Sequence, residues 1–448
     1  MSEGSEGIDH AVVVGAGVAG LLAARVLAER FARVTVIERD DLPEGAAPAF
    51  RAGAPQTRHV HILWSRGVAA LDALLPGVVQ ELAAAGAVRV DAPERMRWLS
   101  PADWFTGVRG AFYLSVSREL LETTLRRRVL DRPSITLMDR HEVTGLVPAP
   151  GGTAIGGVRL RRRGKDGQES SVRAGTVVVA TGRGSRLADW LPGIGCPAPV
   201  TERIDAHLGY SSRYYRRPAA DPGWQAMYVQ GNPGTPRGGV IVPIDGERWL
   251  VTLIGQGDHV PPVEEKAWLA FASSLRSPEL ADALTEAEPL SDVVAFRATA
   301  NEWTHVERVP RWPRGLLVIG DALCRFNPVY GHGMTVAAVE AQVLAGEIAG
   351  YGPGEVAARA RRTQRALAAC PRAAWAIATG EDTRYPGTDG PVPGRLTRIQ
   401  QDYMARVLAA ANTDPVVAGA FFEVLSLNRR PETLLTPRIA ARALRRRR

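Results

Sequence analysis

The stretch Gly15-Ala16-Gly17-Val18-Ala19-Gly20 narrows the fold more than any other part of the chain. It lies between an apolar run at residues 11–14, read as a buried strand, and an amphipathic helix pattern that continues to Arg30. In a strand–turn–helix unit of this kind the first glycine makes the tight turn. The second lets a pyrophosphate approach the backbone, and the third lets the helix pack on the strand. Residues 34–37 form the next β-branched run and end at Glu38-Arg39, with Glu38 lying 18 positions after Gly20. A carboxylate at that distance meets a ribose hydroxyl pair. These features predict an α/β chain built on a Rossmann-type parallel sheet that holds a dinucleotide.

A second constraint stands some three hundred residues later, in Gly320-Asp321-Ala322-Leu323-Cys324-Arg325-Phe326-Asn327-Pro328-Val329-Tyr330-Gly331-His332-Gly333-Met334. Residues 315–319 before it read as a buried strand, and residues 335–348 after it have helical spacing. A carboxylate at a strand end can hold sugar hydroxyls. A Gly-rich helix start can hold negative charge, because its first N–H groups lack intrahelical partners. The pair suits a cofactor with a ribityl chain and a ring that is anionic when reduced. Residues 176–180 are a further buried strand, ending in Thr181-Gly182-Arg183-Gly184-Ser185-Arg186, which reads as the other edge of the crevice.

With 448 residues and 45% hydrophobic side chains, the chain can form two or three domains, or two interleaved ones. It contains no apolar run of 18 residues, so no transmembrane segment is expected. The acidic first residues carry no apolar leader. Cys196, Cys324 and Cys370 match neither a disulfide framework nor a metal pattern, which points to a reduced, cytoplasmic setting. Six arginines in residues 438–448 carry most of the net charge of +8, and without them it is +2. That end is expected to be a solvated tail, with a membrane-surface or partner contact as the alternative. Nothing else in the chain supports nucleic-acid binding.

Between the two motifs, residues 42–57 are irregular and lead into Arg58, His59 and His61, which are placed to reach phosphate or flavin. A helix-like stretch follows to residue 75. Residues 111–116 read as a strand, and Ser117 caps a helix to residue 129 that begins with Arg118, a candidate cofactor contact. Short β elements fill residues 134–173. After residue 199 the pattern changes to period two at 205–216, 225–230, 240–244 and 248–254, with a hairpin signal at Asp245-Gly246 and a further strand at 291–300. We therefore expect a first dinucleotide-binding part at 1–199, an inserted antiparallel substrate domain at 200–309 and a return of the first part at 310–353. A C-terminal helical region follows at 354–448, with helices at 355–379, 395–411 and 416–426.

Three elements in this order resemble the FAD-dependent monooxygenases related to para-hydroxybenzoate hydroxylase: the glycine turn with Glu38, the Ala180–Arg186 motif, and Gly320-Asp321 with its Pro/Gly turn. Within that group the chain is most similar to the bacterial polyether epoxidases. The carriers are Pro55-Gln56-Thr57-Arg58-His59-Val60-His61-Ile62-Leu63-Trp64, Gly246-Glu247-Arg248-Trp249-Leu250 and Phe326 to Met334. The resemblance implies FAD as cofactor, with Gly15, Gly17 and Gly20 at the pyrophosphate, Glu38 and Arg39 near the adenosine ribose, and Arg118 at the flavin chain. It implies Thr181 and Gly182 at the crevice edge, Asp321 on the ribityl hydroxyls, and Pro328, Gly331, Gly333 and Met334 at the ring. Where the hydroxylases carry an Asp-Gly pair, this chain reads Thr181-Gly182-Arg183-Gly184. The reductant, NADPH or NADH, therefore docks directly or acts through a separate reductase.

The activity implied is transfer of one oxygen atom from a flavin C4a-hydroperoxide to an apolar intermediate of polyketide or isoprenoid biosynthesis, free or bound to a carrier protein. Alkene epoxidation needs no base, only positioning and a dry pocket. Arg58 and Asn327 are the candidates for a catalytic part. The alternatives are an aromatic hydroxylase and a redox-neutral FAD-dependent cyclase. A flavin halogenase needs a lysine beside its tunnel, and neither Lys165 nor Lys266 stands in a fitting context.

Overall fold

The computed structural model describes residues 8–42, 50–51, 53, 55–164 and 167–445. Its first sheet has five parallel strands in the order Leu316–Val318, Thr176–Val179, His10–Val14, Arg33–Ile37 and Ile135–Met138. Helices cover it, so Val12, Val34, Val177 and Leu316 have no exposed surface. Burial on both sides explains why these strands read as unbroken apolar runs. Helix Val18–Leu27 packs against helices Arg118–Leu130 and Gly333–Ile348. The chain thus returns to its first sheet after the second one is made.

The second sheet has six strands in the order Val294–Phe296, Leu208–Arg216, Arg248–Gln256, Arg237–Ile244, Ala226–Val229 and Met96–Leu99. The first five pair antiparallel, and the expected hairpin turns at Asp245-Gly246-Glu247, with Gly246 at φ +72° and Glu247 at φ +52°. The Asp245 carboxylate accepts from Ser117 N at 2.8 Å and from Arg248 at 2.7 Å. It ties the hairpin to the helix that begins with Arg118. The sixth strand, Met96–Leu99, pairs parallel with Ala226–Val229. Four residues are too few to show a period, so only this distant pairing defines it.

A third sheet, Ile62–Trp64, Ala111–Ser115 and Val88–Ala92, spans the other two. The helix expected right after His61 begins only at Ser65. Trp64 N donates to Thr335 Oγ1 at 3.1 Å and Trp64 Nε1 to Tyr330 O at 3.2 Å, so this strand grips the late glycine turn.

The helix expected over 355–379 is three helices, Pro353–Ala358, Ala360–Leu367 and Arg372–Asp382. Pro371 stands directly before the third and has no N–H to continue the second. Helices Arg395–Ala411 and Pro415–Leu425 follow, the latter capped by Asp414. The solvated tail expected over 438–448 is corrected as far as residue 443, and residues 446–448 lie outside the described residues. Residues Pro437–Ala443 form a helix that buries Ile439 and Ala443 beside Val407 and Phe422, and Arg442 pairs with Asp414 at 2.7 Å. Among the described residues no single helix is long and apolar enough to cross a membrane.

Candidate active site

The crevice forms where three strand ends meet. Gly15 has φ +108°, and a Cβ there would stand 2.4 Å from Ala180 O. A Cβ on Gly20 would stand 1.8 Å from Gly15 O. Both glycines are required by the turn itself. Gly17 differs: its nearest neighbour to an added Cβ is the end of Arg51, at 3.6 Å. Gly182 faces open space, and Gly333 has only the Asp321 carboxylate near, at 3.9 Å. From the far end of the chain, Gly320 packs on Ala19, and Asp321 lies 3.6 Å from Arg183 Nε. The glycine turn, residues 180–184, Gly320-Asp321 and Gly333 therefore border one space.

Two features of that space fit a bound FAD. Thr181 Oγ1 and Arg183 Nε are buried without hydrogen-bond partners. Helices Val18–Leu27 and Gly333–Ile348 both start without a side-chain cap. Their first N–H groups and the positive dipole ends are left for an anionic ligand.

Glu38 is buried, and its carboxylate accepts from Ala16 N at 2.8 Å and Asp40 N at 3.1 Å. Arg51 reaches it at 3.2 Å and also reaches Glu122 at 2.9 Å. Arg118 closes the chain of charges on Glu122 at 2.7 Å. Burial opposes ionisation of Glu122, but Arg118 and Arg51 outweigh it and hold the carboxyl below its usual range. Arg118, at the start of its helix, is thus fixed by the buried acid Glu122, and Arg51 spans from Glu38 to that acid. Arg39 is exposed, with its guanidinium beside Gly184. Arg58 stacks on Phe50 at 3.9 Å. His59 and His61 are pushed down to about 4 and about 3, chiefly by burial, so both are neutral at pH 7 and offer no charge to a phosphate.

The late turn is held from behind by Glu340, which is fully buried and accepts from Gly320 N at 2.6 Å. Burial pushes its pKa to about 8, against the pull of the Gly320 N–H. The folded protein therefore binds a proton there that the unfolded chain releases near 4.5, and stability falls as pH rises from about 4.5 to about 8. Glu340→Gln, which needs no proton, removes that slope. Compared by melting temperature, the variant gains on the wild type by up to ~3 kcal/mol between pH 5 and 8. A constant difference across that range refutes the assignment.

Beyond the turn lies a chamber of about 1070 Å³. Its walls come from the six-stranded sheet (Tyr228, Val240, Ile254), from the bridging sheet (Ile62, Trp64) and from the C-terminal helices, and they include Pro328 and Gly331. One end is polar. Asp382, nearly fully buried, accepts from Asn301 Nδ2 at 2.7 Å, Tyr330 OH at 2.8 Å and Asn327 Nδ2 at 3.1 Å. Burial raises its pKa to about 6 despite those donors. Asn327 is buried and spans the network: its N–H donates to Asn301, and its side-chain oxygen accepts from Val329 N and Tyr210 OH.

The structure brings together Gly15, Gly17, Gly20, Thr181, Gly182, Asp321 and Gly333. Pro328 and Gly331 follow on the chamber side, and Met334 is buried at the start of helix Gly333–Ile348. Glu38 and Arg118 join the same space through Arg51, while Arg58 lies against Phe50. Arg51, Glu122, Glu340 and Asp382 escaped the sequence reading. Only the Arg118–Glu122 pair, four residues apart on one helix, left a local signal.

A family model described as FAD binding domain matches residues 9–378. Protein Rv3254 of Mycobacterium tuberculosis is 33% identical over 439 residues, covering 94% of this chain and 90% of its own. Among solved structures, the flavin-dependent brominase Bmp2 superposes with a TM-score of 0.67 at 18% identity and covers 93% of each chain. PqsL, a probable FAD-dependent monooxygenase from Pseudomonas aeruginosa, superposes with a TM-score of 0.61 at 16% identity, over 84% of this chain and 97% of that one. The two solved structures share its fold. By the match over residues 9–378 and the full-length relative, the chain belongs to the FAD binding domain family.

Proposed function

We propose that the protein is a flavin-dependent monooxygenase that places one atom of molecular oxygen on an apolar natural-product intermediate, by alkene epoxidation. The observation that carries this reading is the chamber of about 1070 Å³, apolar over most of its wall and bordered by Pro328 and Gly331. Bound FAD, reduced by NADPH or NADH directly or through a separate reductase, supplies the activated oxygen. Gly15, Gly17 and Gly20 admit the pyrophosphate, Glu38 the ribose and Asp321 the ribityl hydroxyls. The uncapped N–H groups of Gly333 and Met334 stabilise negative charge at the ring by up to about 2 kcal/mol.

The rest of the chain's work is to orient the substrate and keep water out. Burial keeps Tyr210, Tyr228 and Tyr330 protonated, and three donors engage Asp382. Of the other carboxylates in the lining, Glu202 pairs with His305, Glu381 pairs with Arg384 and Glu432 is exposed at the outer rim, which suits an alkene. Aromatic hydroxylation is the second reading, and one observation favours it: Asp382 titrates near neutral pH in the chamber wall. Lys266 is exposed at the start of helix Glu265–Ser273 and is no part of the chamber lining, and Lys165 lies outside the described residues.

The test is a candidate polyene incubated with enzyme and NAD(P)H under isotopically labelled oxygen gas. One labelled atom in the product supports the reading. Product formed without reductant or oxygen rejects it in favour of the redox-neutral cyclase. Anaerobic mixing with NAD(P)H decides the electron route: bleaching of the flavin means direct reduction, and an unbleached flavin means a separate reductase.

A further inference from the structure

The outer rim of the chamber is unusual. Val392, Thr397 and Gln400 line it on one side, and Arg430, Leu434 and Leu435 on the other. Around it, Val392 and Leu396 are each 82% exposed, Leu435 56% and Ile399 55%. Single exposed apolar residues are ordinary. Here three large ones fall within eight positions, beside the opening of an apolar chamber. On helix Arg395–Ala411, Leu396, Ile399, Tyr403 and Val407 follow helical spacing along one face. The inner end of that face is buried at Val407, and Tyr403 OH donates to Leu434 O at 2.6 Å. The outer end, Leu396 and Ile399, runs past the body of the protein and is left uncovered.

The charge around this end is positive. Arg395 and Arg398 flank the two apolar side chains, and Arg429 and Arg430 stand on the facing rim, all exposed. The exposed acidic side chains nearby are Asp389, which pairs with His207, Asp402 and Glu432. We infer that this rim docks on an anionic lipid bilayer, with Leu396 and Ile399 entering the acyl boundary and the arginines meeting phosphate headgroups. An apolar substrate then passes from bilayer to chamber without crossing water. This rests on the reading of the chamber as an apolar substrate site. A bilayer fits the rim better than a protein partner does. A stable protein interface buries on the order of 1,200 Å² or more. Insertion into lipid asks only for a few projecting apolar side chains with cations beside them.

Flotation of the full-length FAD-loaded protein with vesicles tests the inference. Phosphatidylcholine vesicles containing about one-third phosphatidylglycerol should carry the protein, and pure phosphatidylcholine vesicles should carry roughly tenfold less. Leu396→Ser/Ile399→Ser and Arg395→Gln/Arg398→Gln each weaken binding by roughly tenfold, and both pairs are surface changes outside the chamber lining. Absence of binding to the phosphatidylglycerol-containing vesicles overturns the inference, including the case in which the same variants weaken binding of an acidic carrier protein instead. Binding unchanged in both variants overturns it as well. The readout involves no turnover, so a failure of the oxygenase reading leaves this result untouched.

Discussion

Gly20→Ala should yield a protein that is colourless on purification and melts well below the wild type. Its new Cβ would stand 1.8 Å from the backbone oxygen of Gly15, a contact no rotamer can relieve. The turn must open, and helix Val18–Leu27 must lift from the sheet, at a cost of roughly 3 kcal/mol or more. Gly17→Val separates binding from folding. Gly17 has an ordinary extended backbone, with φ −76° and ψ −178°, and only the flexible end of Arg51 stands near its missing side chain. The FAD-free variant should melt within about 1 kcal/mol of wild type, since the cap is already made without a side chain. Its FAD affinity, by titration of flavin fluorescence, should fall by at least about tenfold because the side chain fills the path to the pyrophosphate. Full FAD affinity in Gly17→Val would falsify the placement of the pyrophosphate.

The second large effect concerns Asp382. Asp382→Ala leaves Asn301 Nδ2, Asn327 Nδ2 and Tyr330 OH buried without their acceptor. Each orphaned donor costs about 1–3 kcal/mol, so a loss of roughly 3 kcal/mol or more is expected in denaturant unfolding. Asp382→Asn keeps the shape and one acceptor oxygen and should fold. It cannot titrate. If the acid contributes to turnover, the wild-type rate shows an inflection near pH 6 that Asp382→Asn lacks. A rate profile identical in the two proteins confines Asp382 to holding the Asn327–Tyr330 turn and removes the one argument for aromatic hydroxylation.

The parts legible in the sequence are those whose cause is local. Ala11–Val14 and Thr176–Val179 read as strands because burial on both faces leaves no polar position. Gly15 and Gly20 read as a turn because nothing larger fits there. Thr181, Gly182 and Asp321 were legible by standing at strand ends. What was hidden depends on partners far along the chain. Asp382 closes a helix that, from sequence, looked like the end of a longer one. Its importance comes from Asn301 and Asn327, 81 and 55 positions away. Arg51 follows a stretch without periodicity, and only its position between Glu38 and Glu122 gives it meaning. Met96–Leu99 has no pattern of its own and becomes a strand through Ala226–Val229. The division of the last segment failed at Pro371, where a composition rich in alanine hid a break that proline dictates.

The pairing of Leu316–Val318 with Thr176–Val179 has a bearing on how the protein is made. While the ribosome is still adding residues of the second sheet, the glycine turn is already outside, but the edge it needs has not been translated. Until residues 316–334 emerge, the nascent chain can present the Gly15–Gly20 half of the crevice but not Asp321 or the late turn. Flavin capture is therefore a late event in synthesis. A chain arrested before that return should linger with an open β edge, the state in which aggregation competes with folding.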